Sequence, residues 1–357
     1  MVARIPTREC CEFLWRALIA WGVRSLLILV TACSFHPPAA VGDGGGDDTT
    51  TDAASPLDAA PADWWDPTYR WRIPIAIANT SNITLATRFQ IGLRLDLDAA
   101  PCAGSRDAIR ITHDKSEHPR YIDELGGDEW TWFRLEVAID PGVTSNVHYL
   151  YCANPSPGAA PADPAAVFDF FDDFDGAALT SDWKAQNTVI VGGGAVRLGG
   201  AGLTDSGILT TTTWPPRTAV DYIVSIANPA AAEFWAGFQN GFPDQPPWIQ
   251  WWSESPPAIR PDYASSVGDQ SQFLGTPVAL DTMPRLFGVE YYGTASAYRR
   301  DNALVEHHVH ATPVAPAMLN FRLHNHSSTE PVQYHMARVR RAVDPPPTVT
   351  LGAPETY

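Results

Sequence analysis

Apolar residues that recur at every second position constrain this chain more than any other feature. Ile73, Ile75 and Ile77 alternate, as do Ile91, Leu93, Leu95 and Leu97, then Phe133, Leu135, Val137 and Ile139, with Ile109 and Ile111 as a shorter case. Spacing of this kind gives a strand one buried and one solvent-facing side. No stretch sustains a helical period, so the expectation is an all-β chain. Residues 64–152 hold roughly seven such strands in about a hundred positions, which suits a small antiparallel β-sandwich. A Pro/Ala-rich segment at residues 154–164 marks a boundary. Further strand patterns follow at 188–191, 195–198, 220–227, 234–239, 248–253, 285–300, 303–310, 319–324 and 333–340. Asp301-Asn302 between two of them is a tight hairpin turn, because both residues tolerate positive φ. That many antiparallel strands point to a second, larger two-sheet jelly roll.

The N-terminus reads as an export signal. Arg4, Arg8, Arg16 and Arg24 precede a short apolar run that ends in Leu29-Val30-Thr31-Ala32-Cys33. A basic start, an apolar stretch and small residues before a cut site are the marks of a secretory leader. The terminal cysteine makes the pattern resemble a bacterial lipobox, which implies removal of residues 1–32 and acylation of Cys33. Lipid chains hold a protein to a membrane surface without a spanning helix. The alternative is a secreted protein with a chance cysteine after its leader. The apolar run is short of the ~20 residues a transmembrane helix needs. Residues 33–63 then read as a disordered acidic tether, carrying Asp43, Asp47, Asp48, Asp52, Asp58 and Asp63 but no Lys or Arg. The expected location is the cell envelope, lipid-anchored, at the outer membrane or cell surface.

Net charge is −16, from 24 basic and 40 acidic residues. Phosphate recognition needs clustered Lys and Arg, so nucleic acid is excluded as a partner class. With Cys10 and Cys11 in the leader and Cys33 lipidated, Cys102 and Cys152 remain. An even pair in an exported domain is a disulfide candidate, the alternative being two unpaired thiols. Closing a loop of about 50 residues would add on the order of 4 kcal/mol.

Several motifs carry a family resemblance. Trp64-Trp65-Asp66 with Tyr69-Arg70, then Val147-His148-Tyr149-Leu150-Tyr151-Cys152-Ala153-Asn154-Pro155, then Phe170-Phe171-Asp172-Asp173-Phe174-Asp175-Gly176, are similar to the bacterial domain of unknown function 2341 joined to a concanavalin-like, laminin-G-type domain. The C-terminal Ala337-Arg338-Val339-Arg340-Arg341 and the Pro346-to-Gly352 stretch also resemble the way such proteins end. The resemblance covers nearly everything after the tether. It implies an exported surface protein, often with glycan-related companions, and a concanavalin-like fold for the jelly roll. The resulting division is residues 64–166 for the smaller sandwich and 167–357 for the jelly roll with its C-terminal tail.

Four constellations could carry chemistry. Trp248, Gln250, Trp252 and Glu254 fall on one side of a strand and Ile249 and Trp251 on the other, with Trp235 on a nearby strand. Indoles beside an amide and a carboxylate suit a sugar, whose C–H face stacks on an aromatic ring while its hydroxyls find polar partners. Packing in the core is the alternative for these tryptophans. Glu306, His308 and His310 alternate on one strand, and His324 and His326 on the next, a pattern that could converge on a transition metal. Asp172, Asp173 and Asp175 could ligate a structural Ca²⁺, an ion that lectin-like sandwiches often hold. No paired-carboxylate strand motif, nucleophile elbow or P-loop is present. The chain therefore reads as a non-enzymatic surface protein that binds glycan or a protein partner. A structural or adhesive component, or a glycan-active hydrolase or lyase, is the alternative.

Overall fold

The computed structural model describes residues 62–356, except 105, 124–128, 201–204, 243–245, 254–256, 267–270, 316–317 and 328. Cys33, the tether to residue 61 and Glu254 lie outside the described residues. The described chain is nearly all β, built as two antiparallel sandwiches. In the first, sheet I runs in spatial order Thr348–Leu351, Trp71–Ala78, Thr144–Cys152, Arg110–His113 and Ser116–His118, with Glu355–Thr356 also beside Trp71–Ala78. Sheet II is Gln90–Leu95, Glu129–Arg134 and Tyr121–Asp123. The alternating residues Ile73, Ile75, Ile77, Ile91, Leu93, Leu95, Phe133, Leu135 and Ile139 form the core between them. Val137 departs from the pattern and is exposed. Leu135 N bonds Phe89 O and Ile139 N bonds Leu85 O, so residues 136–138 loop outward between those two anchor points.

Cys102 and Cys152 are disulfide-bonded, with Cα atoms 5.3 Å apart, and both lie in this core. The bridge ties the loop after Leu95 to the end of the long strand Thr144–Cys152. Replacing both cysteines by alanine should lower the free energy of unfolding by up to about 4 kcal/mol, the loop-closure estimate for this span. Urea unfolding of the double variant beside the wild type reads this directly. An unchanged midpoint would mean the bridge adds nothing.

The C-terminal tail does not belong with the jelly roll by packing. Thr348–Leu351 pairs with Ile75 to Ala78, and Val343 enters the first core, so the chain's end completes the sandwich in which the described residues begin. Its alternation is too short to reveal a distant partner in sequence. The Pro/Ala segment is equally tied down. Arg110 donates to Pro157 O and Ala159 O, and Arg120 N to Pro161 O. Asp163 then caps the short helix Pro164–Val167 through Ala166 N.

In the second sandwich, sheet III runs Ile190–Val191, Val196–Leu198, Val332–Arg341, Thr218–Ile226, Arg285–Tyr291, Ala295–Arg300 and Ala303–Val309, with Phe170–Asp172 also on Val332–Arg341. Sheet IV runs Gln272–Phe273, Ala258–Ala264, Trp248–Trp252, Phe234–Gln239, Leu319–Asn325, Ser206–Trp214 and Trp183–Gln186, with Val278–Ala279 also on Ala258–Ala264. These two sheets enclose a large aromatic-rich core, the larger two-sheet sandwich that the strand patterns anticipate. Asp301 and Asn302 take φ of +50° and +63° in the hairpin where Arg300 faces Ala303. The pattern at 285–300 resolves into two strands folded back near Gly293.

The sandwiches meet through an aromatic and ionic seam. Trp132, Val167 and Phe168 cluster with Tyr121, Trp130 and Phe171. Arg134 donates to Val167 O and Phe168 O at 2.6 Å each. Arg338, fully buried, bonds Asp123 of the first sandwich and Asp221 of the second, with its guanidinium 4.7 Å from the Trp132 ring.

Candidate functional site

Strand register on sheet IV builds the site. Trp235 stands opposite Trp252 on one side and His324 on the other. One row along, Gly237 stands between Gln250 and Arg322, and Gln250 faces Asp262. In the next row Gln239 faces Trp248. All of these side chains share the face turned away from the jelly-roll core, while Ile249 and Trp251 enter it. Trp251 is fully buried and donates its indole N–H to Gly288 O of the opposite sheet. The division of faces is thus the one the alternation predicts. Trp235, Trp248, Gln250 and Trp252 are brought together, and Trp235 occupies the middle of the group rather than its edge.

Three half-buried indoles form the aromatic part. Trp235 and Trp252 have ring centroids 5.6 Å apart, and Trp248 meets Trp252 edge-on at 6.2 Å. His324 lies 4.2 Å from Trp235 and His326 5.9 Å, while Phe273 borders Trp252 at 5.4 Å. Gly237 keeps the floor open. Its φ is +151°, and a Cβ there would sit 2.4 Å from Ile249 O and 2.7 Å from the Gln250 Cα. Any side chain at this position would strain the backbone it crosses.

Beneath the indoles lies a buried polar set. Gln250 Nε2 donates to Asp262 Oδ2 at 3.3 Å, and the second oxygen of Asp262 has no hydrogen-bond partner among the described residues. Burial pushes the Asp262 carboxyl up to about 7, against the smaller opposing effect of the Gln250 hydrogen bond. Arg322 donates to Gln239 Oε1 at 2.5 Å and Gln186 Oε1 at 3.0 Å and lies 4.6 Å over the Phe242 ring. Burial lowers its guanidinium to about 9. His324 is driven down to about 2, by burial first and then by the Arg322 charge. The imidazole is neutral at any physiological pH. A carboxyl that titrates near neutrality can hold or release a proton beneath the indoles.

Two other proposed constellations come apart. Asp172 accepts from Phe174 N and from the Trp183 indole, and Asp173 from Asp175 N, so these carboxylates shape a turn at the strand entry. Among the described residues no three His, Cys, Asp or Glu side chains are placed to hold a metal. Glu306 and His308 sit on the edge strand of sheet III, and His310 just beyond it stacks at 4.0 Å on Tyr263, which faces the core. His324 and His326 instead pack against Trp235 on the outer face of sheet IV. The two histidine groups therefore do not converge.

Asp262, Arg322 and Gln239 went unrecognised in the sequence. Asp262 lies in Ala-Ile-Arg-Pro-Asp-Tyr-Ala, and a proline inside the run argues against a strand. The usable signal was Ile259, Pro261 and Tyr263 alternating with Arg260 and Asp262.

Comparison with solved structures finds weak overall likeness. A structure from work on endo-acting O-glycanases that prominent members of the human gut microbiota express to initiate mucin breakdown is 15% identical, with TM-score 0.42, covering 49% of this chain and 99% of that one. The apo Crh5 transglycosylase is 14% identical, with TM-score 0.39, covering 48% of this chain and 84% of that one. The Emp47p carbohydrate recognition domain is 10% identical, with TM-score 0.38, covering 49% and 96%. Comparison with curated proteins gives no match. The family match reaches the Val147–Pro155 and Phe170–Gly176 motifs but neither the Trp64 motif nor the C-terminal one: over residues 106–186 the chain is similar to Domain of unknown function (DUF2341).

Proposed function

We propose that this chain is a non-enzymatic glycan-binding protein whose ligand lies on the outer face of sheet IV. The observation that carries the reading is the grouping of Trp235, Trp248 and Trp252, each half-buried, above Gln250, Asp262 and Arg322. Indole rings meet the C–H faces of sugars, and the amides and charged groups between them suit hydroxyls. Trp252→Ala should weaken binding of the best ligand on a glycan array by about 2 kcal/mol, some thirtyfold, as for a central aromatic anchor. Trp248→Ala should cost less, because Trp252 also contacts Trp235 and Phe273. Calorimetry on the full chain measures both, and undiminished affinity in Trp252→Ala would remove the platform.

Asp262 favours a second reading, a glycan-active hydrolase or lyase. A carboxyl at about 7 is poised for proton transfer near neutral pH. Product release from any bound glycan that stops in Asp262→Asn would establish it. Cys33 as a lipid attachment site belongs to the same proposal. Palmitate label incorporated by the wild type should be absent from Cys33→Ser, and label that persists would place the anchor elsewhere.

A further inference from the structure

A second cleft lies on the seam between the sandwiches, away from the outer face of sheet IV. It has a volume of about 190 Å³, and its walls come from both sandwiches. Sheet II supplies Gln90, Gly92, Trp130 and Trp132, all on the side of their strands opposite to Ile91 and Phe133. The jelly roll supplies Glu290, Arg299 and Arg340.

Two buried donors belong to residues that line this space and have no acceptor among the described residues. Gln90 is 3% exposed, and its carbonyl oxygen is taken by Arg341 N at 2.8 Å while its amide nitrogen bonds nothing among the described residues. The indole nitrogen of Trp130 is buried and equally without a partner among the described residues. A buried orphan donor is costly and rare, and two on one cleft call for a shared acceptor. The carboxylate of Glu290 cannot serve. Both its oxygens are engaged, by Arg299, Arg340 and the Tyr292 hydroxyl. Arg299 and Arg340 are balanced by Glu290 and Asp221, so the excess positive charge comes from Arg341, which also lines the cleft and shares the single Asp169 carboxylate with Arg134. Trp130 and Trp132 stack at 6.2 Å with planes 26° apart and give the cleft a flat apolar wall.

We infer that this cleft binds a single hexuronate unit, its carboxylate and hydroxyl oxygens accepting from Gln90 Nε2, Trp130 Nε1 and the Arg341 guanidinium, its ring against Trp130. The volume is below the range of sites that hold drug-sized ligands, which limits the occupant to about one ring. Charge selects an acid over a neutral sugar, and the aromatic wall selects a ring over a small carboxylate. The site shares no residue with the platform of Trp235, Trp248 and Trp252, so the two readings stand or fall separately.

The test is calorimetry on the full chain with D-glucuronate, methyl β-D-glucuronide, D-glucose and acetate. Glucuronate and its methyl glycoside should bind, with glucose and acetate at least about tenfold weaker. Equal affinity for the methyl glycoside would identify a glycan terminus as an acceptable source, and preference for the free acid a free monosaccharide. Trp130→Phe keeps the ring and removes the donor, and should weaken glucuronate about fivefold or more with an unchanged melting temperature. Gln90→Leu should act in the same direction, and Trp252→Ala should leave glucuronate binding intact. No heat from glucuronate, equal binding of glucose, or full affinity in Trp130→Phe would each overturn the assignment.

Discussion

Replacing Arg338 by alanine should destabilise the protein by about 3–5 kcal/mol or more, the range for leaving a buried charge without its partner. Arg338 is wholly enclosed, donating through Nη1 to both oxygens of Asp123 at 2.8 and 2.9 Å and through Nε to Asp221 at 2.9 Å. Its removal would strand Asp123 among Trp132 and the seam aromatics. Asp221 would keep Arg340. Burial opposes ionisation of Asp221, yet Arg340 and Arg338 outweigh it and hold the carboxyl below its usual range. The network continues from Arg340 to Glu290 and on to Arg299, so its charges balance only when every member is present. Two consequences are measurable by calorimetry. The wild type should unfold in one transition, because the seam couples the sandwiches, and Arg338→Ala should split it into two. Pairing Arg338→Met with Asp123→Asn should recover part of the loss, since no charge is then buried alone. A single transition at the wild-type temperature in Arg338→Ala would show that the aromatic seam suffices without the ions.

The first sandwich was legible because strands such as Trp71–Ala78 and Gln90–Leu95 send every second side chain into its core. Ile73, Ile75, Ile77 and Ile91, Leu93, Leu95 had no other arrangement that removes them from water. The outer face of sheet IV was half legible for the same reason. Period-two spacing put Trp248, Gln250 and Trp252 together, but it does not reveal which strands lie alongside. Asp262 and Arg322 come from the two strands that flank Trp248–Trp252 and Phe234–Gln239, at sequence distances that no local pattern spans. The seam was invisible. Arg338 in Ala-Arg-Val-Arg-Arg looks like a basic surface strand, and only the arrival of Asp123 and Asp221 against it turns a surface residue into a buried one. The C-terminal strand was missed because antiparallel pairing between residues about 270 positions apart leaves no mark in either segment.

Acid should unfold this protein well before its surface carboxylates are titrated, because three imidazoles are buried in the neutral form. Burial, reinforced by His113 and His118, takes His148 down to about 3. It takes His310 to about 4 with His308 assisting, and His324 to about 2 beside Arg322 and His326. In the unfolded chain each would protonate near 6.5. Below that pH the unfolded state takes up protons the folded state refuses, so stability is greatest above 6.5 and is lost as pH falls toward the folded values. Asp262 works the other way. Its carboxyl at about 7 binds a proton in the folded state that the unfolded chain does not take until about pH 4, which offsets one histidine. For these four groups the net difference approaches two protons near pH 5, a slope of about 2.7 kcal/mol per pH unit, and the Asp123 carboxyl, also raised by burial, offsets part of it. His118 is also lowered by burial, though Glu136 beside it partly restores its basicity, so it adds to the slope in the same sense. Urea midpoints should therefore fall steeply from pH 6.5 to 5. His148→Leu, which packs among the same first-sandwich residues, should flatten that slope by about one proton and raise acid resistance relative to its own stability at pH 7. A midpoint constant between pH 6.5 and 5 would mean that these imidazoles find solvent in the folded protein.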